Sequence, residues 1–124
     1  MRSSVVIRKA GGFYYTFDDD AMIISYLTGY KISGDRCGFP LNSLSKVTNL
    51  LEDNSINYLV KEKMEEVDRR EFKKNNKYNK MLDKGKKKFS IDYRINSIME
   101  KLNELSYDEL DELLSVIEVY IDER

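Results

Sequence analysis

The chain has no histidine, no tryptophan and a single cysteine, Cys37. Zinc sites built from cysteine and histidine are therefore excluded, as is any disulfide within one chain. With no histidine to activate it, Cys37 reads as a small buried residue rather than a nucleophile. Proline occurs once, so little of the backbone is barred from helix or strand. No apolar run is long enough to span a membrane, and Met1-Arg2-Ser3-Ser4 lacks the apolar centre of a signal peptide. A cytoplasmic protein with no membrane partner is expected. A G-x-x-x-x-G-K-[ST] phosphate loop is absent too. No cofactor and no enzymatic activity are expected. The formal net charge of −1 supplies no overall field for nucleic acid.

What remains is a chain of 124 residues, 41% apolar and 35% charged. That length suits one small domain with an appendage. The organising stretch is Gly11-Gly12-Phe13-Tyr14-Tyr15-Thr16-Phe17-Asp18-Asp19-Asp20-Ala21. A β-branched run (Val5-Val6-Ile7, within residues 4–9) meets two glycines, which permit a tight turn. An aromatic strand follows. Alternation sets Phe13, Tyr15 and Phe17 on one face and Tyr14 and Thr16 on the other. Asp18 or Asp19 is expected to cap a helix running to Thr28, with Gly29 at its end. Capping accounts for the three acids better than a metal site, since adjacent acids do not converge on one point. Further on come a short strand at Tyr30-Lys31-Ile32 and a turn at Ser33-Gly34-Asp35. A sharp feature at Gly38-Phe39-Pro40 precedes a helix capped by Asn42 or Ser43. Leu44, Val47, Leu50 and Leu51 form that helix's buried side, and a strand runs from Ile56 to Val60. The alternation of strands and helices predicts an α/β (α+β) domain over residues 1–62, a small mixed sheet with flanking helices.

These residues also resemble a family. GGFYYTFDDDA is similar to the G-D-F-Y-E-x-F-x-D-D-A segment of the N-terminal mismatch-reading domain (domain I) of MutS-type DNA mismatch-repair proteins. Arg36-Cys37-Gly38-Phe39-Pro40 resembles that domain's M-x-G-[IV]-P. Residues 41–51 and 56–60 resemble the helix and strand that come next. The match covers roughly residues 4–63. It implies a domain I fold and a DNA partner, mismatched or otherwise distorted duplex. It also implies a role for Phe13, the position of the ring that wedges beside a mispaired base. Tyr15 stands where the family has the glutamate that bonds that base. A phenol can donate or accept one hydrogen bond but carries no charge. The family's ATPase, connector, lever and clamp domains have no counterpart in these residues.

Basic residues supply further candidates. Arg8 and Lys9, beside the glycine turn, would meet phosphates if Phe13 wedges; otherwise they end an exposed strand. Residues 69–88 carry ten Lys and Arg against Glu71 and Asp83. Arg69, Lys73, Lys77, Lys80 and Lys84 are spaced to form one stripe on a helix, which Gly85 would break. The stripe suits a phosphate backbone, and equally a solvated face or an acidic partner. Residues 63–89 are thus expected to be a basic helical linker.

Residues 90–124 are expected to be an acidic amphipathic helical hairpin. Ser90 would cap the first helix, and Ser106-Tyr107-Asp108-Glu109 is a capping box for the second. Ile91, Ile95, Ile98, Met99, Leu102 and Leu105 stripe the first helix. Leu110, Leu113, Leu114, Ile117, Tyr120 and Ile121 stripe the second. Those stripes are expected to be core, packed on the α/β half or on the same helices of a second copy, as in a homodimer. Two functional classes follow. One is a non-enzymatic DNA-binding module using Phe13, Tyr15, Arg8, Lys9, Arg69, Lys73, Lys77 and Lys80. The other is a protein-interaction or dimerisation scaffold that reuses the fold.

Overall fold

The computed structural model describes residues 3–124 and falls into two units, the first ending at Phe89 and the second running Ser90–Arg124. In chain order the elements are β1 (Val5–Ala10), β2 (Phe13–Phe17), α1 (Asp18–Thr28), β3 (Ile32–Ser33), β4 (Arg36–Pro40), a 3-10 turn (Leu41–Ser43) and α2 (Leu44–Asp53). After these come β5 (Tyr58–Glu62), β6 (Glu65–Arg70), α3 (Tyr78–Leu102) and α4 (Tyr107–Asp122). Strands order as β3-β4-β2-β1-β5-β6 in one mixed sheet. β1 and β5 run parallel, and every other pairing is antiparallel. This is the mixed α/β architecture the periodicity predicts.

One phase of each inner strand is buried and the other is not. Val5, Ile7, Tyr14, Cys37, Phe39, Tyr58 and Val60 point into the core. α1 meets them with Ala21, Ile23 and Ile24, α2 with Val47 and Leu51, and α3 with Tyr78, Met81 and Leu82. Burying each large side chain contributes about 1.5–3 kcal/mol, so this cluster holds the first unit together. The alternate phase is different: Val6, Arg8, Phe13, Tyr15, Phe17, Arg36, Gly38, Leu59 and Lys61 are half-buried or exposed. The unit's helices thus cover one side of the sheet and leave the other open.

Two turns set the strand pairings. Gly11 takes φ 62 between β1 and β2, a conformation that costs glycine nothing. Between β5 and β6, Lys63 (φ 49) and Met64 (φ 70) both adopt the left-handed region, as a two-residue hairpin turn requires.

Several expectations are corrected. Neither Asp18 nor Asp19 caps α1: Phe17 holds the cap position and no side-chain cap bond forms. Asp20 instead turns back toward the sheet. Its Oδ2 accepts the Val6 N–H at 3.1 Å and its Oδ1 accepts the Tyr78 hydroxyl at 2.5 Å. α2 likewise forms without a side-chain cap from Ser43. Residues 63–89 are not a helical linker. β6 adds to the sheet edge, and a loop is fastened by Phe72 N–H to Asn57 Oδ1 at 2.6 Å and Asn76 Nδ2 to the Ser3 carbonyl at 2.8 Å. α3 then packs into the core. Gly85 does not break α3, which runs on through Ser90 without a stop. Gly85 is buried against α1, where a Cβ would lie 2.7 Å from the Met22 carbonyl oxygen. Glycine here gives close helix approach rather than termination.

The second unit is the hairpin formed by the end of α3 and by α4. Its capping box is present in full: Ser106 Oγ accepts the Glu109 N–H at 3.2 Å, and Glu109 Oε1 accepts the Ser106 N–H at 3.0 Å. Within one chain the apolar stripes of this unit do not form a buried core. None of residues 90–124 is buried, and only Ser97, Leu102, Leu105, Leu110 and Leu113 are half-buried.

Candidate functional site

β2 is one of the two central strands of the sheet, between β4 and β1, so its outward side chains stand on the open face with neighbours on both sides. Phe13 is 45% exposed and Phe17 37% exposed. Tyr15, between them, is half-buried. The three rings form a row, with centroids 6.1 Å apart from Phe13 to Tyr15 and 6.4 Å from Tyr15 to Phe17. Tyr15 pairs across the sheet with Gly38. The absent side chain makes room for the ring: a Cβ on Gly38 would lie 2.7 Å from Tyr15 Cε1. The Arg36 guanidinium carbon sits 4.7 Å from the Tyr15 ring centre. Such a cation–π contact contributes about 0.5–1 kcal/mol at an exposed site. Tyr15 is thus fixed against β4, while Phe13 keeps a free ring edge.

Charge is arranged around the row. Arg8 pairs with Tyr15 on one side and with Lys61 on the other. Paired residues share a sheet face, so Arg8, Lys61 and Arg36 are cations on the aromatic side. Lys9 is one position out of phase and lies on the helix-covered face. There its Nζ is 3.6 Å from Glu62 Oε1, and the Tyr14 hydroxyl donates to Glu62 Oε2 at 3.2 Å. Burial, with the Glu62 charge behind it, pushes the Tyr14 phenol up from its ordinary value. Lys9 therefore does not flank Phe13, and that expectation is corrected.

The expected basic helix stripe is also dissolved. Arg69 lies on β6, where it bonds Glu66 at 2.7 and 2.9 Å and also Glu71. Its charge is matched by two carboxylates. Lys73 belongs to the loop after β6, Lys77 precedes α3, and Lys80 and Lys84 are on α3. α3 packs on the helix-covered side, so Lys80 and Lys84 are separated from Phe13 by the sheet. Of the eight expected contact residues, the fold brings together Phe13, Tyr15 and Arg8.

Phe17 shares the outward phase that the sequence already gave it. Arg36, Gly38 and Lys61 were missed. Arg36 and Gly38 were hidden because a Gly–Phe–Pro run does not read as strand, although Pro40 sits at the very end of β4, where its missing N–H costs no ladder bond. The signal available for Lys61 was its place one step beyond Val60 in the alternation.

Among the described residues, no group of three or more His, Cys, Asp or Glu converges to hold a metal. Cys37 is fully buried, with its thiol 3.9 Å from the Tyr30 carbonyl. Burial pushes that thiol up to about 11, against a smaller opposing pull from Lys88, so it is a poor nucleophile. A cleft of about 430 Å³ opens beside the fastening loop, lined by Ser3, Asn57, Glu71, Lys73, Asn76 and Tyr78. Asn57 and Asn76 already serve the loop's own hydrogen bonds. No described helix is long and apolar enough to cross a membrane.

The chain matches no known family model and no curated protein sequence.

Proposed function

We propose that the open sheet face is a non-enzymatic DNA-binding surface, with Phe13 as the ring that enters beside a mispaired, nicked or unpaired base. The observation that carries this reading is the exposed Phe13 ring at the end of an aromatic row whose middle and far end are bordered by Arg8, with Lys61 beyond it, and by Arg36. An aromatic wedge acts by unstacking a base step, and a mispair lowers the cost of doing so. Stacking is indifferent to base identity, and the surrounding cations meet phosphates without reading sequence. The likeness of residues 4–63 to the mismatch-reading domain of MutS proteins supports the same use of Phe13. Tyr15 departs from that pattern. Held over Gly38 and under Arg36, it anchors the ring row and is not a substitute carboxylate. Discrimination among mispairs is therefore weaker than preference for distorted over regular duplex. A cytoplasmic setting, where thiols stay reduced, goes with the buried free Cys37.

The test is equilibrium binding of the whole chain to mismatched, fully paired and single-stranded DNA across a salt series, beside Phe13→Ala. Loss of one stacked ring costs about 1–3 kcal/mol, roughly a 5- to 150-fold weakening. Phe13→Ala is expected to lose that much on mismatched and single-stranded DNA and little on paired duplex. Binding that is identical in the variant and disappears with salt would reduce the face to a charged surface. No binding even at low salt would reject the proposal and leave the second reading, a protein-interaction scaffold. The open apolar faces of the hairpin favour that second reading.

A further inference from the structure

We propose that Ser90–Arg124 is a self-association unit: two copies of the chain join their hairpins into a four-helix bundle. The unit has no interior of its own. Twelve large apolar side chains between Ile91 and Ile121 are exposed, among them Ile95, Ile98, Val116, Val119 and Tyr120. A segment this short, with nothing buried, is below the size at which a fold is stable without oligomerisation or another staple. The area is also sufficient. Ten of these side chains, all but Tyr93 and Tyr107, lie on the apolar sides of the two helices; left about half open they amount to roughly 1,000 Å², against about 800 Å² per partner in a stable interface and 300–600 Å² for the largest apolar patch of an ordinary monomer.

The pattern around α4 says how many neighbours are needed. From Leu113 to Ile121, seven of nine residues are apolar. At about 100° per residue they cover an arc of about 220°, whereas packing on a single helix needs a stripe of about 100°. Around the turn, Leu102 at the end of α3, Leu105 in the connection, and Leu110 and Leu113 on α4 are half-buried, which accounts for one part of the arc. The rest of the arc, centred on Val116, Val119 and Tyr120, requires another helix. Asp108, Asp111, Glu118 and Asp122 fall on the remaining polar arc, where a bundle would leave them in water.

Charge and symmetry choose the occupant. Residues 100–124 hold nine acids and two bases, which repels anionic lipid; helices that lie on membranes carry Lys and Arg on the polar face. A second hairpin presents the same apolar arc and satisfies both copies at once by a two-fold axis, the commonest closed symmetry. This proposal is independent of the sheet-face reading: a dimer that ignores DNA fails one and leaves the other.

The experiment is analytical ultracentrifugation of the whole chain from low to high micromolar concentration, at low and high salt. The natural chain is expected to form a species of twice its 14.6 kDa mass, and to associate more tightly at high salt because like charges are then screened. Helical circular dichroism is expected to fall with dissociation on dilution. Val116→Glu combined with Tyr120→Glu is expected to abolish the dimer, whereas Asp122→Ala on the polar arc is not. Methyl NMR signals of Ile7 and Ile23 serve as the control that the sheet unit stays folded. A natural chain that stays monomeric at every concentration, or a double variant that associates as tightly as the natural chain, would overturn the proposal. So would association that weakens as salt rises, the mark of a basic partner surface.

Discussion

Gly85→Ala is a perturbation whose sign separates two accounts of the same residue. On an open helix, alanine is favoured over glycine by about 1 kcal/mol. At position 85 the added methyl would sit 2.7 Å from the Met22 carbonyl oxygen, 2.8 Å from its carbonyl carbon and 3.2 Å from the Ile23 nitrogen. Ordinary contact lies near 3.5–4.0 Å, so α3 and α1 must part by about 1 Å. The obstructing atoms are backbone, and they cannot rotate away as a side chain would. Ile23 and Ile24, fully buried beneath them, oppose a shift of α1. Overpacking of this kind costs about 1–3 kcal/mol, and more where no side chain can yield. The clash therefore outweighs the propensity gain, and a net loss of about 1–2 kcal/mol is expected. The assay is urea unfolding followed by near-UV tyrosine dichroism, which reports the sheet unit because Tyr14, Tyr58 and Tyr78 are buried there. A variant equal to or more stable than the natural chain would refute close packing of α3 on α1. It would return Gly85 to the role of a helix interruption.

Two further outcomes follow from single sites. Burial holds the Asp20 carboxyl above the usual carboxylate range, despite opposing hydrogen bonds from Tyr78 and Val6. Between its unfolded value and its raised folded value the native state holds the proton more tightly, so stability is greatest below the unfolded value and falls as pH rises through the folded one. Asp20→Asn is expected to flatten that slope, read from urea midpoints at successive pH values. At the β5–β6 turn, Met64 is 89% exposed and held at φ 70. Met64→Gly is expected to raise stability by about 0.5–1 kcal/mol, the left-handed cost relieved less the entropy glycine adds. Thermal unfolding checks it, and a drop in the midpoint would count against that turn conformation.

Much of the inner sheet was legible because packing and local propensity agree there. β1, β2, β5, α1 and α2 stand where the sequence placed them, and α1 and α2 bury the side their apolar spacing indicated; β2 buries Tyr14 and Thr16 and leaves Phe13 and Phe17 on the open side. The Ser106–Glu109 capping box was readable because a cap needs only local residues. Where the sequence misled, a long-range partner decided the outcome. β6 carries five charged residues and exposed Val67; it is a strand because β5 offers an edge and the Lys63-Met64 turn returns the chain to it. The spacing from Arg69 to Lys84 imitated a helix across a strand and a loop. Lys9 shared the inward phase of Val5 and Ile7, so alternation alone could have set it apart from Arg8. The candidate site was half visible: the ring row follows from alternation, but Arg36 over Tyr15 depends on β4, whose glycine and proline conceal a strand.

The central claim is that the Phe13 ring meets bases, and its most direct test is NMR of chain labelled on its phenylalanine rings and its lysine side chains, titrated with a duplex carrying one mispair. Five phenylalanines give few enough signals to assign by single substitution. The Phe13 ring protons are expected to shift upfield and to show cross-peaks to base protons, with smaller movements at Phe17. Unchanged Phe13 signals, accompanied by movement only at lysine side chains on α3, would contradict the account.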